Sequence, residues 1–201
     1  IYLVWPIDDP YKNTKMNIAI LGGRFDPPHV WHFFCAQQVL ENVPDIDQVW
    51  LLPDYLNAFK PITTMPSDRI EMLHFLETGR IKLSTIAIAK ESMTYTVEIV
   101  TLLKKDQNNK YFWVIGSDAA AEISRWRDYK KLSRMIEFLV FPRKDFPIKN
   151  LPEGFRKVPG NLLLSNISST IIRERVKQEL SITGLVFPEV EDYIRRRNLY
   201  K

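Results

Sequence analysis

The feature that most constrains this chain is a regular alternation of short apolar runs with longer helical stretches, each run closed by glycine, proline or a polar turn. Asn17-Ile18-Ala19-Ile20-Leu21 ends in Gly22-Gly23 and leads into a helical stretch from about His29 to Leu40. Runs bounded in this way are too short for helices and read as buried strands. Further strands are expected at Gln48–Leu52, Ile81–Ile88, Tyr111–Ile115, Phe138–Phe141 and Leu162–Leu164. Helices are expected at Asp68–Gly79, Thr96–Lys105, Asp118–Ile123, Tyr129–Met135, Ser168–Glu179 and Pro188–Asn198. Asp68, with Glu71 three residues later, has the form of a capping box opening the second helix. Strand then helix, repeated, predicts an α/β fold: a Rossmann-like, doubly wound parallel sheet with helices on both faces. No repeat or linker divides residues 16–201, so they are expected to form a single domain. Residues 1–15 read as an N-terminal extension ahead of Met16; the alternative is that Tyr2-Leu3-Val4-Trp5 packs on the domain.

Composition narrows the function classes. With 45% hydrophobic and 26% charged residues, the chain can bury a real core. A net charge of +4 favours anionic ligands such as nucleotides. No Lys/Arg run is long enough to argue for nucleic acid, and Arg195-Arg196-Arg197 falls near a helix end, where cations suit the dipole. The single cysteine, Cys35, excludes an intrachain disulfide and a cysteine-based zinc site, and reads as a core or groove-lining thiol. No apolar stretch approaches a membrane span and residues 1–15 lack a signal-peptide core, so the expectation is a cytoplasmic protein with no membrane partner.

In a doubly wound sheet, ligands bind beyond the carboxyl ends of the strands. Beyond the first lies Gly22-Gly23-Arg24-Phe25-Asp26-Pro27-Pro28-His29-Val30-Trp31-His32. Two glycines allow a close backbone approach, and Asp26-Pro27-Pro28 makes a rigid turn. His29 and His32 share one face of the first helical turn, where free N–H groups and the dipole already favour phosphate. Two histidines three apart are by themselves more often structural; the strand–glycine–turn–helix context makes them phosphate ligands. One other histidine, His74, and no His-Glu zinc signature leave no expected protein-held metal site.

This segment resembles the nucleotidylyltransferase superfamily, with its His-x-x-His after the first strand. In the form GGxFDPxHxxH it is similar to the nicotinate (or nicotinamide) mononucleotide adenylyltransferases. Ile167-Ser168-Ser169-Thr170-Ile171-Ile172-Arg173 resembles the superfamily's second signature. Ser-Ser-Thr alone reads as an N-cap cluster; after the first motif it reads as a phosphate cradle. The likeness runs from Met16 to Tyr200. It implies adenylyl transfer from ATP to nicotinic acid mononucleotide, with His29, His32 and Arg173 catalytic. Gly22, Gly23, Arg24, Phe25, Lys60, Gly116, Asp118, Ile167, Ser168, Ser169 and Thr170 would then bind ATP or phosphate. Tyr95, Thr96, Trp126 and Arg127 would bind the pyridine nucleotide, and Mg²⁺ would arrive with ATP. Read alone, Trp126 is equally a surface anchor, Asp118 an N-cap, and Arg69 either structural or substrate-facing. The closing helix offers a surface for a homo-oligomer.

The chain departs from the family pattern at Arg24, where Thr or Ser is usual, at Trp31, where Gly is usual, and in the loop Asn57-Ala58-Phe59-Lys60. Arg24 either stabilises the bridging phosphate or points outward to an acid, and Trp31 adds bulk beside an adenosine pocket. The alternatives are the same chemistry on nicotinamide mononucleotide or phosphopantetheine, a fragment of a class I aminoacyl-tRNA synthetase, or a catalytically silent nucleotide-binding protein of this fold.

Overall fold

Six parallel strands in the order β3-β2-β1-β4-β5-β6 form one sheet. They are β1 Asn17–Gly23, β2 Gln48–Pro53, β3 Ile81–Leu83, β4 Lys110–Gly116, β5 Glu137–Phe141 and β6 Phe155–Lys157. The helices are α1 Val30–Asn42, α2 Pro66–His74, α3 Thr96–Leu103, α4 Ser117–Ala121, α5 Tyr129–Met135, α6 Ser169–Lys177 and α7 Pro188–Arg196. This computed structural model describes residues 15–57, 61–143, 146–148 and 150–201. Of the expected N-terminal extension, only Lys15 is among them, so the packing of Tyr2–Trp5 lies outside the described residues.

Strand side chains alternate between two separate cores, as a pleat of period two requires. Ala19, Phe112, Val114, Leu139 and Phe141 pack under α1, α2, α6 and α7 through Val39, Met72, Leu73, Ile172, Val190 and Ile194. Ile18, Ile20, Trp113, Ile115, Phe138 and Val140 pack under α3, α4 and α5 through Val97, Val100, Leu103, Ala120 and Leu132. Helices on both faces and an order that turns back on either side of β1 are the doubly wound arrangement expected. No helix among the described residues is long and apolar enough to cross a membrane.

Three expectations are corrected. The sixth strand is Phe155–Lys157, not Leu162–Leu164. Leu163 is 68% exposed, and its N–H and C=O are both taken by the side-chain amide of Gln38 on α1 (2.7 and 3.4 Å), which leaves no ladder to form. The third strand stops at Leu83, and the chain passes into a short 3₁₀ turn at Ile88–Lys90. Asp68 does not cap α2: the helix starts at Pro66 behind Met65. Asp68 is instead buried and accepts hydrogen bonds from Tyr193 Oη (2.9 Å) and Arg197 Nε (3.2 Å), clasping α2 to α7.

Candidate active site

The strand order reverses between β1 and β4, so the crevice of this fold opens beyond Gly23 and Gly116. The two glycines closing β1 have different reasons. A Cβ on Gly22 would come within 2.9 Å of the Trp113 ring on β4, so that glycine is required by the sheet rather than by a ligand. Gly23 has ordinary room, and its carbonyl accepts from Asp54 N–H (2.9 Å), joining the turn to the loop after β2. Phe25 takes a left-handed backbone (φ 50°) and is buried against His32, with ring centroids 4.6 Å apart. Its side chain therefore supports the histidine, and only its backbone can meet a phosphate.

Asp26 is fully buried and organises the whole turn. Its carboxylate accepts from Thr63 N–H (2.7 Å), Thr63 Oγ1 (2.8 Å), Thr64 Oγ1 (2.7 Å) and Tyr200 Oη (2.9 Å). Burial raises its pKa, but these four donors outweigh burial and leave it below the ordinary carboxylate value. Arg69 is buried as well and donates to the carbonyls of Arg24, Asp54 and Tyr55, which settles it as structural.

The second signature is latched onto the first. Arg173 Nη1 donates to the Asp26 carbonyl (2.7 Å) and Ser169 Oγ to the Pro27 carbonyl (2.8 Å). Ser168 caps α6 by accepting from Ile171 N–H (3.3 Å), and Thr170 Oγ1 accepts from Arg173 Nη2 (3.4 Å). Ile167 is half-buried, and its N–H donates to Ser165 Oγ (3.1 Å). The serines are thus engaged in structural bonds, while Arg173 sits where both motifs meet.

His29 stands at the N-cap position of α1 without a side-chain cap bond, and its ring stacks on that of His32 with centroids 3.7 Å apart. His32 Nδ1 accepts from His29 N–H (3.2 Å), so the proton of a neutral His32 is on Nε2, available as a donor. His29 is 3% exposed and its Nδ1 has no partner. Burial, then the charge of Arg143, lowers the His29 pKa to about 3. Burial, then His29, Arg143 and Arg24, lowers that of His32.

Both imidazoles are therefore neutral in the free protein, and this has a consequence for stability. The unfolded chain takes up these protons near pH 6.5 and the folded chain near pH 3 for His29, so between those values stability rises with pH. The contribution is complete above about pH 6.5 and is lost progressively as the pH falls toward the folded value. Thermal melts should decline from pH 6.5 downward, above the range of ordinary carboxylates, and less steeply in His29→Gln. A melting temperature level from pH 7.5 to 4.5 would exclude the neutral pair.

Arg24 Nη1 donates to the Pro61 carbonyl (2.8 Å), across from the signature turn. Burial, and after it the nearby Arg173, lowers its pKa. Among the described residues neither arginine has a close ion pair, and the carboxylates of Asp26 and Asp54 only partly offset the Arg24 charge, so two guanidinium groups share the crevice. Lys60 lies outside the described residues.

Asp118 follows β4 and pairs with Arg143 beyond β5 (3.5 Å), a residue that sequence reasoning missed. Elsewhere, Tyr95 caps α3 just ahead of Thr96, and the Arg127 guanidinium lies over its ring at 4.6 Å while pairing with Glu98 (3.5 Å). Trp126 is half-buried, edge-on to Phe138 at 6.5 Å. Trp31 is corrected: it is 6% exposed, edge-on to Phe141 at 5.8 Å, and its bulk fills the core under α1 rather than an adenosine pocket. Cys35 is half-buried, and burial pushes its thiol up to about 12, so it is no nucleophile. A concavity of about 360 Å³ lined by Glu137, Phe155 and Arg156 lies at the amino ends of β5 and β6, the wrong edge of a parallel sheet for a nucleotide.

The cytidylyltransferase-like family model matches residues 20–175. A nicotinate-nucleotide adenylyltransferase of Bacillus licheniformis is 32% identical over 190 residues, 92% of this chain and 98% of that protein. One of Nitratiruptor sp. is 36% identical, over 81% of this chain and 90% of that protein. Among solved structures, the nicotinic acid mononucleotide adenylyltransferase of Plasmodium falciparum complexed with NaAD superposes with a TM-score of 0.76, covering 92% of this chain and 97% of that one. At 24% identity that superposition bears on the fold alone.

Proposed function

This chain belongs to the cytidylyltransferase-like family and, within it, to the nicotinate-nucleotide adenylyltransferases, and from that premise we propose which residues perform its reaction. The reaction is adenylyl transfer from ATP to nicotinic acid mononucleotide, giving nicotinic acid adenine dinucleotide and pyrophosphate in NAD biosynthesis. A phosphate oxygen of the mononucleotide attacks the α-phosphorus of ATP in line, and the β,γ-pyrophosphate leaves. No protein nucleophile is needed, so catalysis is positioning plus stabilisation of charge.

The observation that carries the assignment is the stacked His29–His32 pair at the end of β1, with Arg173 bonded to the same turn. Neutral His32 donates from Nε2 to an α-phosphate oxygen, and His29 accompanies it. Arg173, with the backbone at the start of α6, holds the departing pyrophosphate, and Lys60 is assigned to the same phosphates by the family resemblance alone. Asp118 accepts from ribose hydroxyls. Trp126 and the face of Tyr95 that Arg127 does not cover stack on the pyridine ring, Thr96 supplies a hydroxyl for its carboxylate, and Arg127, exchanging Glu98 for that carboxylate, a cation that suits the acid better than the amide.

The divalent ion enters as part of the substrate. Among the described residues no three His, Cys, Asp or Glu side chains gather to hold one, and the cations of the crevice fit phosphate rather than a bare dication. We read it as Mg²⁺, which keeps most of its water and binds through phosphate oxygens.

Arg24 is read as a ligand of the bridging phosphate. Arg24→Thr should lower kcat/KM for the mononucleotide by about tenfold, the scale of one charge-assisted hydrogen bond. An unchanged value would leave the guanidinium with only its Pro61 contact. The reading as a whole is tested by incubating the protein with Mg·ATP and, separately, nicotinic acid mononucleotide, nicotinamide mononucleotide and phosphopantetheine, following pyrophosphate. A strong preference for the acid is expected; preference for another acceptor would overturn the pyridine-site assignment.

A further inference from the structure

Beyond β4 and β5 two side chains fold back over one glycine. Gly116 pairs with Phe141, so the carboxyl ends of these strands are level, and Asp118 and Arg143 each stand two residues further on. Arg143 Nε lies 3.5 Å from Asp118 Oδ1. A Cβ on Gly116 would fall 2.2 Å from Asp118 Oδ1 and 3.1 Å from Arg143 Nε, so any side chain there would displace the Asp118 carboxylate from its present place. The backbone beneath is pinned separately, by the Arg143 N–H donating to the buried Ser117 Oγ (2.8 Å).

Each partner is 41% exposed, and pairs of that kind contribute little to folding. Stability is therefore a poor reason for the chain to keep a glycine under them. The pair stands beyond the carboxyl ends of β4 and β5, the edge on which the crevice of the sheet opens.

We propose that Arg143 is a positioning residue for the adenosine half of the site: it holds the Asp118 carboxylate where the ribose of ATP meets it, and so sets affinity for ATP but not for the acceptor. This rests on the ATP site argued above. A free carboxylate on a helix of five residues can turn to water or toward the triphosphate, which it would repel; the guanidinium beside it fixes its direction and offsets its charge. The Ser117 bond is made by the Arg143 backbone, so side-chain variants keep it.

The test is ATP binding by calorimetry without acceptor, alongside steady-state kinetics, in Arg143→Met, Arg143→Lys, Asp118→Asn and the double variant Asp118→Asn/Arg143→Met. Arg143→Met should weaken ATP binding and raise its KM by about tenfold, with kcat and the mononucleotide KM within about twofold. Arg143→Lys should recover most of the loss. In the Asp118→Asn background, Arg143→Met should add less than about twofold, because the carboxylate charge that the guanidinium steers and offsets is already gone. Unchanged ATP binding in Arg143→Met, equal losses for both substrates, or the same loss with and without the Asp118 carboxylate would each overturn the proposal. The last would make Arg143 a direct phosphate ligand. Failure of the wild-type protein to turn over any mononucleotide while binding ATP would count against the assigned acceptor and leave this inference standing.

Discussion

His32→Ala lowers kcat by at least about 10²-fold, the scale of losing one donor aimed at developing charge in a transition state. The expectation follows from the ring's bonding. Nδ1 is occupied by the His29 N–H, so the proton is on Nε2 and the donor is aimed away from the helix backbone. The ring is wedged between Phe25 and His29, which fixes it before substrate arrives. Alanine removes both the Nε2 donor and the acceptor for His29 N–H, so two more variants separate those losses. In His32→Asn the side-chain oxygen occupies the place of Nδ1 and restores the cap while Nε2 is gone; it should be nearly as slow as alanine. In His32→Gln the amide nitrogen approaches the place of Nε2, and part of the rate should return. Turnover within about tenfold of wild type in a fully folded His32→Ala, or full recovery by asparagine, would remove His32 from the chemistry.

What could be read from the chain beforehand was whatever is local in sequence. The four longer strands announce themselves because Ile18–Leu21, Val49–Leu52 and their counterparts are apolar and bounded by breakers. The His29/His32 pair was legible because its strand, turn and helix are contiguous. Apart from the shortened third strand, the misreadings are long-range. Leu162–Leu164 has the composition of a strand, but Gln38, more than 120 residues earlier, takes its hydrogen bonds. Asp68 has the spacing of a cap, but Tyr193 and Arg197 occupy its carboxylate. Trp31 stands where the family keeps a glycine, and only the packing of Phe141 shows that it faces the core. Arg143 carries no local signal; the level ends of β4 and β5 bring it to Asp118.

Asp26 is the strongest case of a role invisible in sequence, and it carries the second large effect. Its four donors come from positions 37, 38 and 174 residues away, so the segment by itself suggests only a rigid turn. Asp26→Ala leaves the Thr63 N–H, two threonine hydroxyls and the Tyr200 hydroxyl without their acceptor in a buried site. The expected loss of stability is about 3–5 kcal/mol, as for breaking one side of a buried charged network. Because the Asp26 carbonyl also receives Arg173 and its neighbour Pro27 receives Ser169, the loosened turn should reduce activity as well. Tyr200→Phe removes one donor of the four and should cost only about 1 kcal/mol. Combined with Asp26→Ala it should cost almost nothing further, since its partner has already gone. The sign with pH follows from the lowered pKa: this carboxylate's contribution is complete above the unfolded value near 3.9 and is lost as pH falls through the folded value. Chemical denaturation at pH 7.5 decides the matter. An Asp26→Ala protein within about 1 kcal/mol of wild type would mean that the loop at Thr63 and the C-terminal Tyr200 are held by other contacts, and that the signature turn needs no support from beneath.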